Sequence, residues 1–271
     1  MKHCCLILLL FVSFALKAQE SGSKPFILGE IKEINSAQLS EKRILNIYLP
    51  EGYRKDDTLH YPVIYLLDGS ANEDFIHISG LVQFLNMAKM MPKVIIVGIA
   101  NIDRKKDFTF PTTNAKEKRD FPTTGSSGKF IAFIEKELQP FIDKTYKTNS
   151  SRIIIGQSFG GLLATEIVLK KSYLFTKYII VSPSLWWDDE SLLNKAPGLL
   201  AKQLDHPVTV YVAVGDEGKQ MGNDADNLAK TLQAAGKKDW KVIFAPFPDE
   251  NHLTILHNSA YKGLKMLFSK P

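Results

Sequence analysis

The chain has 271 residues, of which 45% are hydrophobic, 10% aromatic and 23% charged, and 34 basic against 29 acidic residues give it a formal net charge of +5. Such proportions exclude a disordered, collagenous or largely membrane-embedded protein, and the length allows one large domain or two small ones. The positive excess is spread along the chain rather than blocked, which argues against a nucleic-acid partner.

Chain order begins with Lys2 and the uncharged, mainly apolar run Cys4–Leu16, followed by Leu16-Lys17-Ala18 as a cleavage point. This is the layout of a secretory signal peptide over residues 1–18, and the run is too short for a permanent membrane anchor. Cleavage after Ala18 removes Lys2 and Lys17 but no acid, leaving 253 residues and a formal charge of +3. Both cysteines, Cys4 and Cys5, go with it, so residues 19–271 hold no disulfide, thiolate nucleophile or thiolate metal site. The expected location is periplasmic or secreted, with no stable membrane anchor.

Beyond the leader, short β-branched runs alternate with amphipathic stretches. Strands are expected at Arg43–Leu49, Pro62–Leu67, Lys93–Ala100, Arg152–Gly156, Lys177–Val181, Val208–Val214 and Lys241–Ala245, several of them continuously apolar as strands buried on both faces must be. Gly128–Tyr146 repeats apolar residues near a 3.6 period, with Pro140 placed to bend or split the helix. Asn223–Ala235 and Leu253–Phe268 read as further helices, whereas Phe108–Ser127 reads as a long polar loop that could form part of a substrate entrance. The alternation predicts a single α/β domain over residues 19–271, with a mostly parallel central sheet and helices on both faces.

Chemistry concentrates at Gly156-Gln157-Ser158-Phe159-Gly160, a G-x-S-x-G sequence between the strand RIIIG and a helical stretch. A serine on such a sharp strand-to-helix turn exposes its hydroxyl at the sheet's C-terminal edge. That hydroxyl is a poor nucleophile without a base, and in hydrolases with this elbow the order along the chain is serine, acid, histidine. Of the histidines after Ser158, His206 precedes a strand and would sit at the wrong end of the sheet, while His257 lies inside a helix. His252, in the polar loop after the last strand, is the expected base. The loop after Val208–Val214 supplies the acid, with Glu217 preferred to Asp216, and Asp224 and Asp226 further away.

Taken with this elbow, Ile47–Pro50, Tyr61–Gly69, Asp103-Arg104 with Asp107, Ser182–Trp187 and Glu250-Asn251-His252 give the chain a resemblance to the "putative esterase" (esterase D-like) family of α/β-hydrolases. Within that family it is similar to the exported bacterial esterases of the enterobactin and salmochelin type. The resemblance implies the α/β-hydrolase fold and an oxyanion hole made by the Phe159 and Ser70 amides. It also implies substrate contacts near Asp68, Gly69, Trp186, Trp187 and Arg104. Each has a plainer reading: Asp68-Gly69 as an ordinary turn, one tryptophan as core, and Arg104 with Asp107 as a salt bridge holding the loop.

The function expected is that of a serine carboxylic-ester hydrolase working through an acyl-enzyme on a small-molecule or glycan ester, with no metal or organic cofactor. Relatives act on siderophore lactones, acylated polysaccharides and thioesters, and some are thought to work with a Ser–His dyad. Acyl transfer at the same site and non-catalytic binding on the same scaffold are the alternatives.

Overall fold

The Val- and Ile-rich runs form the middle of one eight-stranded sheet in a computed structural model that describes residues 22–56 and 58–269. The expected export signal lies outside the described residues. In chain order the strands are β1 (Glu30–Ser36), β2 (Glu41–Tyr48), β3 (Tyr61–Leu66), β4 (Ile95–Ile99), β5 (Thr148–Gln157), β6 (Lys177–Val181), β7 (Val208–Gly215) and β8 (Trp240–Phe247). Their spatial order is β1-β2-β4-β3-β5-β6-β7-β8. β2 pairs antiparallel with both β1 and β4, and every pairing from β4 to β8 is parallel.

Strand β1 has no counterpart among the expected strands. Its sequence, Glu-Ile-Lys-Glu-Ile-Asn-Ser, has only two apolar residues, three apart, and Ile31 points to solvent. Its conformation comes from the hairpin with β2, in register from Glu30 opposite Ile47 to Ser36 opposite Glu41, and not from burial. The central strands contrast with it: every residue of β4 is buried, as are all but one of β3 and β6.

Both faces are covered, so the core is two clusters separated by the sheet. α1 (Asp74–Met87) and α9 (Ile255–Phe268) close one face, burying Ile78, Val82, Leu85, Ile255 and Leu264 against Ile64, Ile96, Ile155 and Ile179. α6 (Phe159–Lys170) and α8 (Gly218–Ala234) lie on the other, with Leu162, Leu163, Ile167, Leu228 and Leu232 against Tyr65, Val97, Ile154 and Val212. At about 1.5–3 kcal/mol for each large apolar side chain fully buried, these two layers dominate the favourable free energy of folding.

Between β4 and β5 the chain forms α2 (Arg104–Phe108), α3 (Ala115–Asp120), α4 (Ser127–Phe133) and α5 (Gln139–Thr145). The helix expected over Gly128–Tyr146 is split: a five-residue π-helical turn, Ile134–Leu138, joins α4 to α5, and Pro140 lies in the first turn of α5. A proline there lacks an N–H that would have bonded one turn back, and the wider turn absorbs the break. The segment expected to be an open loop contains α3, capped by the Asn114 side chain on the Lys116 and Glu117 amides. It is also tied to α7 (Trp187–Leu200) through Asp188, whose carboxylate accepts from the Thr113 amide and from the Thr112 and Thr113 hydroxyls.

Helices α1 and α9 meet through two imidazoles. His77 Nε2 lies 2.9 Å from His257 Nδ1, with the ring centroids 5.2 Å apart and the planes 21° from parallel. A nitrogen lies about 1.1 Å from its ring centre, so these distances are those of two rings edge to edge along one N–H···N bond rather than face to face. Burial, with the neighbouring His257, lowers the His77 pKa from its ordinary 6.5. The unfolded chain therefore binds this proton more readily, and the pair's contribution to stability is lost as the pH falls through about 6.5. His77→Gln removes that titration, so its melting temperature should fall less between pH 7.5 and 5.5 than the wild type's; equal falls in the two proteins would contradict the assignment.

Candidate active site

All the parallel strands end at one edge, and the expected site residues lie on the loops, or in the first residues of the helices, that follow them. The sharpest turn follows β5. Ser158 has φ 59° and ψ −119°, a conformation rare outside glycine and maintained only when its surroundings over-determine it. The surroundings here are backbone: the Ser158 N–H donates to Val181 O at 3.0 Å, and Ser158 O accepts from Leu162 and Ser184. Two glycines are required by crowding. A Cβ on Gly156 would sit 2.4 Å from Gly160 O, and one on Gly161 would sit 2.9 Å from the Pro183 Cα.

The loops carrying Glu217 and His252 are laced together beside this elbow. Asp216 N–H donates to Glu250 O at 2.7 Å, and the side chain of Gln157, next to the serine, donates to the His252 carbonyl. His252 Nδ1 lies 2.5 Å from Glu217 Oε2, while Glu217 Oε1 accepts from the Gly215 amide at 3.1 Å and from the Ser182 hydroxyl. Burial works to raise the Glu217 pKa, but the hydrogen bonds from His252, Ser182 and Gly215 outweigh it and hold the carboxyl below its usual value. An ionised carboxylate only accepts, so the proton of this bond is on His252 Nδ1, and Nε2 is the ring nitrogen the acid leaves free. Asp216 is exposed, Asp226 pairs with Lys230, and Asp224 is buried with its pKa raised to about 6 by burial and by Glu190. Of these four acids, Glu217 is the one in contact with His252.

Ser158, Glu217 and His252 line one cavity of about 460 Å³ with Ser184, Trp186, Asp216, Met221 and Asn251. The Ser158 hydroxyl has the Ser184 hydroxyl 3.3 Å away, and no hydrogen bond joins it to His252 in this resting arrangement. Unliganded sites commonly have such contacts loose, closing when substrate is bound. Phe159 starts α6, so its N–H has no acceptor within the helix. Among the described residues no group of three or more His, Cys, Asp or Glu could hold a metal ion.

Several residues expected near substrate have partners within the protein. Asp68 accepts from Arg104 Nε and Nη2 at 2.7 and 2.9 Å and from Asn101 Nδ2 at 2.7 Å, so Asp68 and Arg104 lock the loops after β3 and β4 to each other. Arg104 does not pair with Asp107, which is buried against Arg43. Gly69 donates its N–H to Ile99 O, and its carbonyl accepts from Asn46 Nδ2. The Ser70 N–H makes a long 3.3 Å contact with the Glu73 carboxylate, within a turn closed by Glu73 N–H on Ser70 O. Trp187 is not at the rim: it is fully buried, with Nε1 donating to Phe110 O at 2.9 Å. The left-handed φ values of Asp188, Asp189 and Glu190 turn the chain sharply after the tryptophan pair, and only Trp186 of the two faces the cavity. Ser184 and Met221 were not anticipated as cavity residues; a hydroxyl and a thioether carry no spacing signature that would have marked them.

The family model described as "Putative esterase" matches residues 36–254. The chain belongs to this esterase family. It is a carboxylic ester hydrolase, as are the esterases it resembles. It is 30% identical over 239 residues to the ferri-bacillibactin esterase BesA of Bacillus subtilis (strain 168), an alignment covering 80% of this chain and 82% of that protein. With the apo-salmochelin esterase of Escherichia coli O6:H1 it shares 26% identity over 223 residues, covering 75% and 68%. Among solved structures, an IroE-like serine hydrolase from Shewanella oneidensis superposes with a TM-score of 0.81 at 32% identity, covering 89% of this chain and 80% of that one. The α/β architecture with its mostly parallel sheet is thus the architecture of that hydrolase.

The two tryptophans should separate in a stability measurement. Trp187→Ala, which opens a core cavity and orphans the Phe110 carbonyl, should cost about 3–5 kcal/mol in urea unfolding. Trp186→Ala removes a half-buried ring and should cost less than half as much; equal losses would contradict their placement.

Proposed function

We propose that this esterase is a serine hydrolase of siderophore esters, with Ser158 as nucleophile, His252 as general base and Glu217 as the acid that orients it. The observation carrying this reading is the 2.5 Å contact between His252 and an ionised, buried Glu217, facing the same cavity as a serine on a strained elbow. The substrate class rests on the relatives, whose names specify ferri-bacillibactin, salmochelin and enterobactin esterases.

In the forward step Ser158 Oγ attacks the ester carbonyl carbon while its proton passes to His252 Nε2. The resulting oxyanion accepts hydrogen bonds from the Phe159 N–H and from the Ser70 N–H, whose 3.3 Å contact with Glu73 is long enough for a stronger acceptor to displace. Collapse breaks the bond to the alcohol oxygen, and His252 returns the proton to that leaving group. Water then attacks the acyl-enzyme with the same histidine as base, releasing the carboxylic acid and restoring Ser158. Glu217 stays ionised throughout, fixing the tautomer and stabilising the imidazolium that forms in each half-reaction. Residues 1–18 are taken as an export signal that places this activity outside the cytoplasm.

Ser158→Ala should lower hydrolysis of bacillibactin, followed by mass spectrometry of the released acid, by at least about 10⁴-fold without a change in melting temperature. Full turnover by that variant would sink the mechanism. Glu217→Gln should lower kcat by at least about tenfold and Asp216→Asn should not; the reverse ranking would move the acid by one position. Hydrolysis of a short acyl ester with none of bacillibactin or salmochelin would leave the mechanism standing and overturn the substrate class.

A further inference from the structure

The turn after β6, Ser182-Pro183-Ser184, touches three parts of the site at once. Ser182 is fully buried and has φ 43°, left-handed for a residue that is not glycine. Its N–H is fixed by Ala213 O at 2.8 Å, and its hydroxyl donates to Glu217 Oε1. Pro183 packs on Gly161 in the first turn of α6. Ser184, 3% exposed, donates its N–H to Ser158 O at 3.1 Å and has its hydroxyl 3.3 Å from the Ser158 hydroxyl.

We propose that Ser182 is a positioning residue for the reaction, holding one oxygen of Glu217 so that the other is presented to His252. This rests on the assignment of Glu217 and His252 above. A glutamate reaches its partner through three rotatable bonds, and from the floor of a cavity it has other orientations open to it. With Oε1 occupied by the Ser182 hydroxyl and the Gly215 amide, only Oε2 remains, and it meets His252 Nδ1. The same donors stabilise the ionised form that the orienting role needs. A buried serine in a strained backbone conformation, spending its hydroxyl on a carboxylate rather than on a nearby carbonyl, is strain kept where it serves the site.

The test is a double-mutant cycle on kcat and KM with a chromogenic short acyl ester. Ser182→Gly removes the hydroxyl at a residue for which the left-handed φ is unstrained, and Ser182→Ala removes it while keeping the strain. Both should lower kcat by about 10–100-fold, the range found when partners that orient metal-ligating residues are lost, with KM within about twofold. In a Glu217→Gln background neither should lower kcat further, because Ser182 acts through that carboxylate. A Ser182→Gly enzyme with wild-type kcat beside an impaired Glu217→Gln overturns the inference alone, as do fully additive losses. A Glu217→Gln enzyme as active as the wild type overturns the inference and the acid assignment together.

Discussion

Main-chain crowding where β5 enters α6 is the constraint on which the rest of the site depends. Strand and helix approach so closely that Gly156 and Gly161 leave no space for a side-chain carbon, and Ser158 is held at a φ that most residues avoid. That conformation persists because neighbouring strand ends grip it: Val181 O takes the Ser158 amide and Ser184 donates to the Ser158 carbonyl. Parallel pairing brings the end of β6 alongside β5, and β7 and β8 continue the row, so the loops carrying Glu217 and His252 arrive at the same edge.

From that edge outward the site is a set of loops pinned to one another and not only to their strands. Gln157 reaches the His252 carbonyl, Asp216 N–H reaches Glu250, and the Asp68–Arg104 pair joins the two loops on the other side of the serine. Arg104 also lies over the Phe159 ring at 5.7 Å, so the cation that fixes the Ser70 loop touches the residue beginning α6. The Asp68 carboxylate, expected near substrate, takes part in holding this geometry, and such pre-organisation spares reorganisation during a reaction.

Much of this was legible in the sequence because burial on both faces writes itself as unbroken Val and Ile runs, and because an elbow serine restricts where its partners fall along the chain. Loop and order pointed to His252 and left Glu217 preferred to Asp216, while the contact between His252 and Glu217 is visible only in the fold. Strand β1 was not legible, since an exposed edge strand held by pairing leaves no hydrophobic pattern. Consecutive Trp186 and Trp187 could not be separated, because three left-handed residues after them decide which ring turns to the cavity. Arg104 and Asp107 suggest a pair by proximity in sequence, yet each finds its partner across a different loop, Asp68 for one and Arg43 for the other. Such pairings depend on how loops fold over the sheet edge, and one sequence does not encode them as spacing.

The central claim is that Ser158 is a nucleophile armed by His252 and Glu217. Its most direct test is intact-protein mass spectrometry after exposure to a fluorophosphonate, with the adduct mapped by peptide sequencing and His252→Ala run beside the wild type. The account predicts a single adduct on Ser158 in the wild type, formed far more slowly in the variant. A folded protein that takes up no phosphonate, carries it on another residue, or labels equally fast without His252 would contradict it.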